Sequence, residues 1–236
     1  AMFMQRVNLK MQEETADINR YPDDIQITSI LSNMDYRRTD DGDSKWRPFQ
    51  IAFLLMDINS IVHDVSPERD IVDLIWFPTG GGKTEAYLGL TAFTIFYRRL
   101  KHPNQSEGTA VMMRYTLRLL AAQQFTRAAT LICACEYIRM DCEAKRHRYP
   151  SYSLGKKSIT IGLWIGGSHI PNKNITNDYK NPGALECLRK LEKASLGSLQ
   201  YMKEKYNKFQ VLKCPWCGTK LGIYYIFSIT RGTGDF

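Results

Sequence analysis

An α/β fold built on a parallel sheet is the architecture this sequence predicts, and three observations carry the prediction. Apolar runs at Ile71 to Phe77, Ala110 to Met113 and Ile159 to Ile165 read as buried strands. Helical patterns from Lys83 to about Leu100 and from Arg118 to about Arg139 fall between them, giving the strand, helix, strand, helix, strand order of a parallel sheet. The 236 residues suffice for one sizeable domain and not for two large ones.

Taken in order, residues 1–46 form a polar N-terminal extension without sustained periodicity. The run Thr39 to Ser44 is a solvated loop, because its acidic residues lack the further oxygen ligands and closing Glu of a calcium loop. Pro48 then opens a helix whose apolar face is Ile51, Phe53, Leu54, Leu55 and Ile58. The first strand, Ile71 to Phe77, carries Asp73 against its apolar character. After the second helix, Lys101 to Gly108 is a loop, and residues 141–158 are basic and turn-rich. Gly166 and Gly167 close the third strand, a polar stretch holds Pro171 and Pro182, and a last helix runs from about Ala184 to Tyr206. No internal repeat or low-complexity tract interrupts this order.

Composition narrows the function classes. With 44% hydrophobic and 24% charged residues, the chain is neither disordered nor collagen-like, and no apolar run approaches the roughly 18 residues of a membrane span. A soluble protein without a membrane partner is expected. The net charge is +8, and since residues 1–46 hold 6 basic and 9 acidic side chains, an excess of +11 falls on residues 47–236. Such a basic body suits a polyanion, nucleic acid before an anionic membrane surface, although charge also serves plain solubility. The six cysteines, with no secretory leader ahead of them, predict a reducing, cytoplasmic setting.

The strongest chemical signal is Phe77-Pro78-Thr79-Gly80-Gly81-Gly82-Lys83-Thr84, placed between an apolar run and a helix. Consecutive glycines let the backbone curl so that successive N–H groups face an anion, and the helix start adds its positive end. Lys83 would reach the β- and γ-phosphates of ATP, Thr84 would hold Mg²⁺, and Thr79, Gly80, Gly81, Gly82 and Glu85 complete the expected nucleotide contacts. The strict pattern G-x-x-x-x-G-K-[ST] asks for glycine at position 77, where this chain has Phe; a P-T-G-x-G-K-T core without that glycine is typical of helicase-type loops. Upstream, in Arg47-Pro48-Phe49-Gln50, Gln50 offers a paired donor and acceptor suited to an adenine edge. Downstream, Thr116, Arg118 and Gln123 open a helix after a strand and can face a phosphate backbone, the plainer reading being a solvated amphipathic helix.

These motifs together resemble superfamily 2 helicases. Three stretches narrow the likeness: Trp76 to Leu90 (W-F-P-T-G-G-G-K-T-E-A-Y-L-G-L), Met113 to Leu120 (M-R-Y-T-L-R-L-L) and Gly162 to Gly167 (G-L-W-I-G-G). They are similar to the DrmA-type helicases of the bacterial DISARM anti-phage system, from about Arg47 to the C-terminus. The resemblance implies a RecA-like first lobe over residues 47–210, ATP as fuel, DNA as substrate and a DrmB-type partner protein. It also implies that Gly166 and Gly167 let a nucleic-acid backbone approach, where a glycine pair after a strand is otherwise a turn.

Cys214-Pro215-Trp216-Cys217 is half of a zinc ribbon, two thiolates at chelating spacing, with a redox pair as the competing reading. The family places a second cysteine pair further on, so residues 211–236 are expected to be the first half of a ribbon insertion. The remaining thiols, Cys133, Cys135, Cys142 and Cys187, read as small packed side chains. No Asp-Glu dipeptide follows any apolar run, and that pair is what binds Mg²⁺ and orients the attacking water in a helicase. The chain is therefore expected to be an N-terminal fragment that binds nucleotide without turning it over. A nucleotide-binding regulatory or assembly module is the alternative, and a phosphoryl-transfer kinase is disfavoured by the flanking motifs.

Overall fold

The computed structural model describes residues 29, 45–78, 80–103, 107–115, 118–145, 153–165, 170–171, 173–176, 178, 180–193, 198, 201, 205–207, 211 and 214–215. Four α-helices organise them: α1 (Pro48–Val62), α2 (Lys83–Lys101), α3 (Arg118–Ala144) and α4 (Ala184–Glu192), with a single 3-10 turn at Pro67–Asp70.

Pro48 sits at the first helical position of α1, where its missing N–H costs nothing, and the Gln50 side chain accepts from the Arg47 backbone N–H at 2.8 Å. The buried stripe of α1 is narrower than predicted: Phe53, Leu54 and Ile58 are half-buried against α2, while Ile51 and Leu55 face outward. The Val62 carbonyl at the C-terminal end of α1 accepts from the Tyr97 hydroxyl of α2 at 2.9 Å. Glu85 in the first turn of α2, and Arg98, Arg99 and Lys101 in its last, suit the helix macrodipole. Leu88 and Ile95 of α2 meet Ala128, Leu131 and Cys135 of α3, and Ile159 closes this core. Small residues at 128, 129, 134 and 135 leave α3 room to lie close to its neighbour.

Two buried arginines tie the segment before Ile159 to this helix pair. Arg99, only 7% exposed, donates to the carbonyls of Leu154 (2.9 Å), Lys157 (2.5 Å) and Ser158 (3.1 Å). Arg139 of α3 donates to Gly155 O at 2.9 Å and grips Glu136 with two nitrogens, at 2.8 and 2.6 Å. Burial pushes the Glu136 carboxyl up, but hydrogen bonds from Arg139 and from the Ile159 N–H outweigh it and hold the group below its ordinary value. Glu143 accepts from the N–H groups of Leu154 and Gly155. Loop polar groups are thus paired by helix side chains, which is how a non-repetitive segment tolerates burial.

The predicted parallel sheet, and with it the RecA-like phosphate-loop lobe, is overturned: among the described residues no strand ladder forms. Residues 71–77, 110–113 and 159–165 run without strand pairing. The physical reason lies in their surroundings. A strand inside a parallel sheet is covered on both faces, yet Val72, Trp76 and Trp164 are 92%, 88% and 98% exposed. Apolar, branched sequence is necessary for such a strand but gives it no neighbour to bond with.

The last predicted helix is not one continuous element: α4 ends at Glu192, and Tyr201, Lys205 and Tyr206 are again helical. The first-turn amides of α4 donate to the segment before it, Ala184 N to Lys173 O at 2.9 Å and Leu185 N to Asn174 O at 3.0 Å. Tyr206 still joins Cys187 and Leu191 in a small separate cluster. The ribbon half-site lies mostly outside the described residues; Cys214 is described and half-buried, Cys217 is not described, and no group of three or more metal-binding side chains occurs among the described residues.

Candidate functional site

The glycine loop meets α2 in a tight turn. Gly80 and Gly82 adopt positive φ (79° and 93°), a conformation that side chains resist, and Gly82 in that left-handed state is the residue capping α2. Between them the Gly81 N–H donates to Pro78 O at 3.1 Å. A Cβ at Gly82 would stand 2.8 Å from Gln50 Nε2, so glycine is needed there for space as well as for dihedral angle. Thr79 lies outside the described residues.

Around this turn three polar side chains converge. The Lys83 ammonium folds back to donate to Phe77 O and, at 3.0 Å, to Pro78 O. Arg47 Nη1 donates to Gly81 O at 2.8 Å, and Gln50 Nε2 donates to Gly82 O at 2.8 Å. Gln50 is 5% exposed, so its amide, predicted to face a base edge, also fastens the start of α1 to the loop. The rings of Phe49 and Phe77 stack at 4.1 Å and 21°, closing one side. Thr84 is half-buried in the first turn of α2.

Glu85 makes an ion pair with Arg127 of α3. A carboxylate in the first turn of α2 suits the helix dipole but repels an incoming anion, and Arg127 offsets that charge. Neither Arg127 nor Arg47 was singled out from sequence. Arg47 was visible inside R-P-F-Q; Arg127 carries no local signal, since only the packing of α3 on α2 brings it to Glu85.

The nucleic-acid candidates are only partly placed. Gln123 is exposed on α3, one turn before Arg127 and therefore toward the same face. The backbone of Arg118 opens α3, while its side chain, Thr116, Gly166 and Gly167 lie outside the described residues. Between α2 and residues 111–115 lies a cleft of about 370 Å³ lined by Tyr87, Thr91, Met113, Arg114 and Tyr115. Burial pushes the Tyr115 hydroxyl above its ordinary pKa, so it stays protonated. The thiol of Cys135 is likewise pushed up to about 11, which keeps it an inert core group as its sequence context suggested.

The described helices thus carry a glycine turn at the start of α2, with Lys83 and Arg47 bonded to carbonyls of the turn itself: the class is that of helical scaffolds with a glycine-rich loop-to-helix junction. No family model matches the chain. It is similar to the DISARM protein DrmA of Bacillus paralicheniformis (strain ATCC 9945a / NCIMB 11709 / CD-2), with 41% identity over 194 residues, 80% of this chain and 16% of that protein. Over those residues the chain is a DrmA-type relative, and it spans about a sixth of the length of the protein it matches.

Proposed function

We propose that the turn at residues 78–84 receives the polyphosphate of ATP, and that the chain is the nucleotide-binding part of an ATP-dependent DNA helicase or translocase in DISARM anti-phage defence. The observation that carries this reading is the turn itself: two positive-φ glycines, a helix start and Lys83 within one short segment. The residues suit the ligand. Amide groups of the first turn of α2 have no intrahelical acceptor, and Lys83 exchanges backbone carbonyls for phosphate oxygens on binding. Thr84 would hold Mg²⁺, which supplies charge neutralisation when bound, and Gln50 would keep one amide hydrogen and one lone pair for adenine. Arg127 keeps Glu85 from opposing the anion.

Lys83→Ala should abolish ATP binding measured by calorimetry, because the ammonium is the point charge of the loop itself. Equal affinities in the two proteins would sink the assignment. The same reading assigns the basic surface, with Arg118, Gln123, Gly166 and Gly167, to DNA, and expects a DrmB-type partner.

For Cys214 and Cys217 we propose a zinc half-site. Two thiolates bind more weakly than the four ligands of a closed structural site, so the chain should lose most of its zinc on dialysis against a mild chelator. Retention of one zinc per chain would overturn the half-site.

A nucleotide-binding assembly module without motor activity is the second reading. An Asp-Glu pair after an apolar strand in the longer protein would favour the motor over this module.

A further inference from the structure

The carbonyls of Gly81 and Gly82 are both drawn toward the start of α1, the first by the Arg47 guanidinium and the second by the Gln50 amide, each at 2.8 Å. No cis peptide occurs among the described residues, and in a trans peptide the C=O and the following N–H point in opposite directions. The hold on Gly81 O therefore turns the Gly82 N–H away from α1, and the hold on Gly82 O does the same for the Lys83 N–H. These two amides stand at the cap and first position of α2, where no intrahelical acceptor reaches them. Glycine peptides rotate easily, so an unheld Gly81–Gly82 unit would turn its carbonyl inward as readily as its N–H.

Arg47 is itself fixed by its neighbour. The Trp46 ring lies against Gly89 of α2 so closely that a Cβ there would come within 2.6 Å of it. Arg47 thus enters from a seated residue, while its own side chain stays exposed and reaches only the loop.

We infer that Arg47 is a positioning residue for the anion site, its bond to Gly81 O aiming the Gly82 amide at the phosphate. This rests on the reading that the loop binds phosphate. Arg47 acts through the direction of a peptide unit rather than through its charge, and that distinction is measurable. A screened charge loses its effect as salt rises, whereas a peptide orientation does not.

The experiment measures inorganic pyrophosphate binding by calorimetry for the wild-type chain, Arg47→Ala and Arg47→Lys, at about 50 and about 300 mM NaCl. Alongside it, the Gly82 amide resonance is followed by NMR without ligand. Loss of one charge-assisted hydrogen bond predicts about tenfold weaker binding for Arg47→Ala, with the same ratio at both salt concentrations. Arg47→Lys, which can still donate to the carbonyl, should recover most of the loss, and the Gly82 resonance should shift in Arg47→Ala and return toward wild type in Arg47→Lys. A ratio that collapses toward one at high salt, or no loss at all, overturns the inference. If the wild-type chain fails to bind pyrophosphate, the phosphate reading fails; the Gly82 resonance then decides the role of Arg47 separately, and an unmoved resonance overturns it.

Discussion

Asp57 of α1 carries a burial cost that no local motif signals. It lines a cleft of about 490 Å³ that also holds Asp64, Glu68, Arg69, Asp73, Arg98, Lys101 and His102. Burial, and then the carboxylate of Asp73, push its pKa from 3.8 to about 6. A raised carboxyl pKa means that the folded state holds the proton more tightly than the unfolded state. The stability it contributes is therefore fully present below pH 3.8 and is lost as pH rises to about 6. Asp57→Asn removes the ionisation, so the variant should be more stable than wild type by about 1 kcal/mol at neutral pH, discounted for partial exposure. Urea titrations should converge near the acid end of that window; a constant difference across it would show that Asp57 is not the titrating group. At the same scale motif spacing pointed to Lys83 and Gln50 as residues at the turn, where both donate to its carbonyls. The bonds that Arg47 and Arg127 make were not legible from spacing, because their partners lie 34 and 42 positions away.

At the scale of elements, helices were read well and strands were not. The start of α1 at Pro48 and of α2 at Lys83 follow from local chemistry: a proline at the first position and glycines just ahead. The segments at 71–77, 110–113 and 159–165 depended on neighbours that local sequence does not supply. The loop leading into the last of them is held by a pair of helix arginines, Arg99 and Arg139, so Arg99→Met should be severely destabilising. It removes the donor for three loop carbonyls, and leaving buried acceptors unpaired should cost about 2–4 kcal/mol. Denaturant unfolding with an unchanged m-value would measure that cost. A loss below about 0.5 kcal/mol, the usual effect of a surface change, would mean that water replaces Arg99 and that the clamp is incidental.

For the molecule as a whole, the separation of charge makes the prediction. The acidic extension at residues 1–46 opposes a body carrying an excess of +11. If the body meets DNA through phosphates, affinity should fall steeply between about 50 and 200 mM salt, by counterion release. Removing residues 1–46 should strengthen binding without flattening that slope, in fluorescence anisotropy with a duplex and a single strand. Salt-independent binding would contradict a phosphate-led contact. No helix among the described residues is long and apolar enough to cross a membrane, in line with the absence of a long apolar run in the sequence.

The sequence by itself determined the glycine turn, the helix that follows it, the charge asymmetry and the kinship with DrmA, because each rests on residue types at short, fixed spacing. Only the tertiary structure decided that Arg47 and Gln50 grip the turn, that Arg127 pairs with Glu85, and that two buried arginines hold the loop carbonyls of residues 154–158. Such contacts join positions tens of residues apart, and their free energy depends on burial and on which partners packing brings within reach. Neither quantity is written in a local pattern.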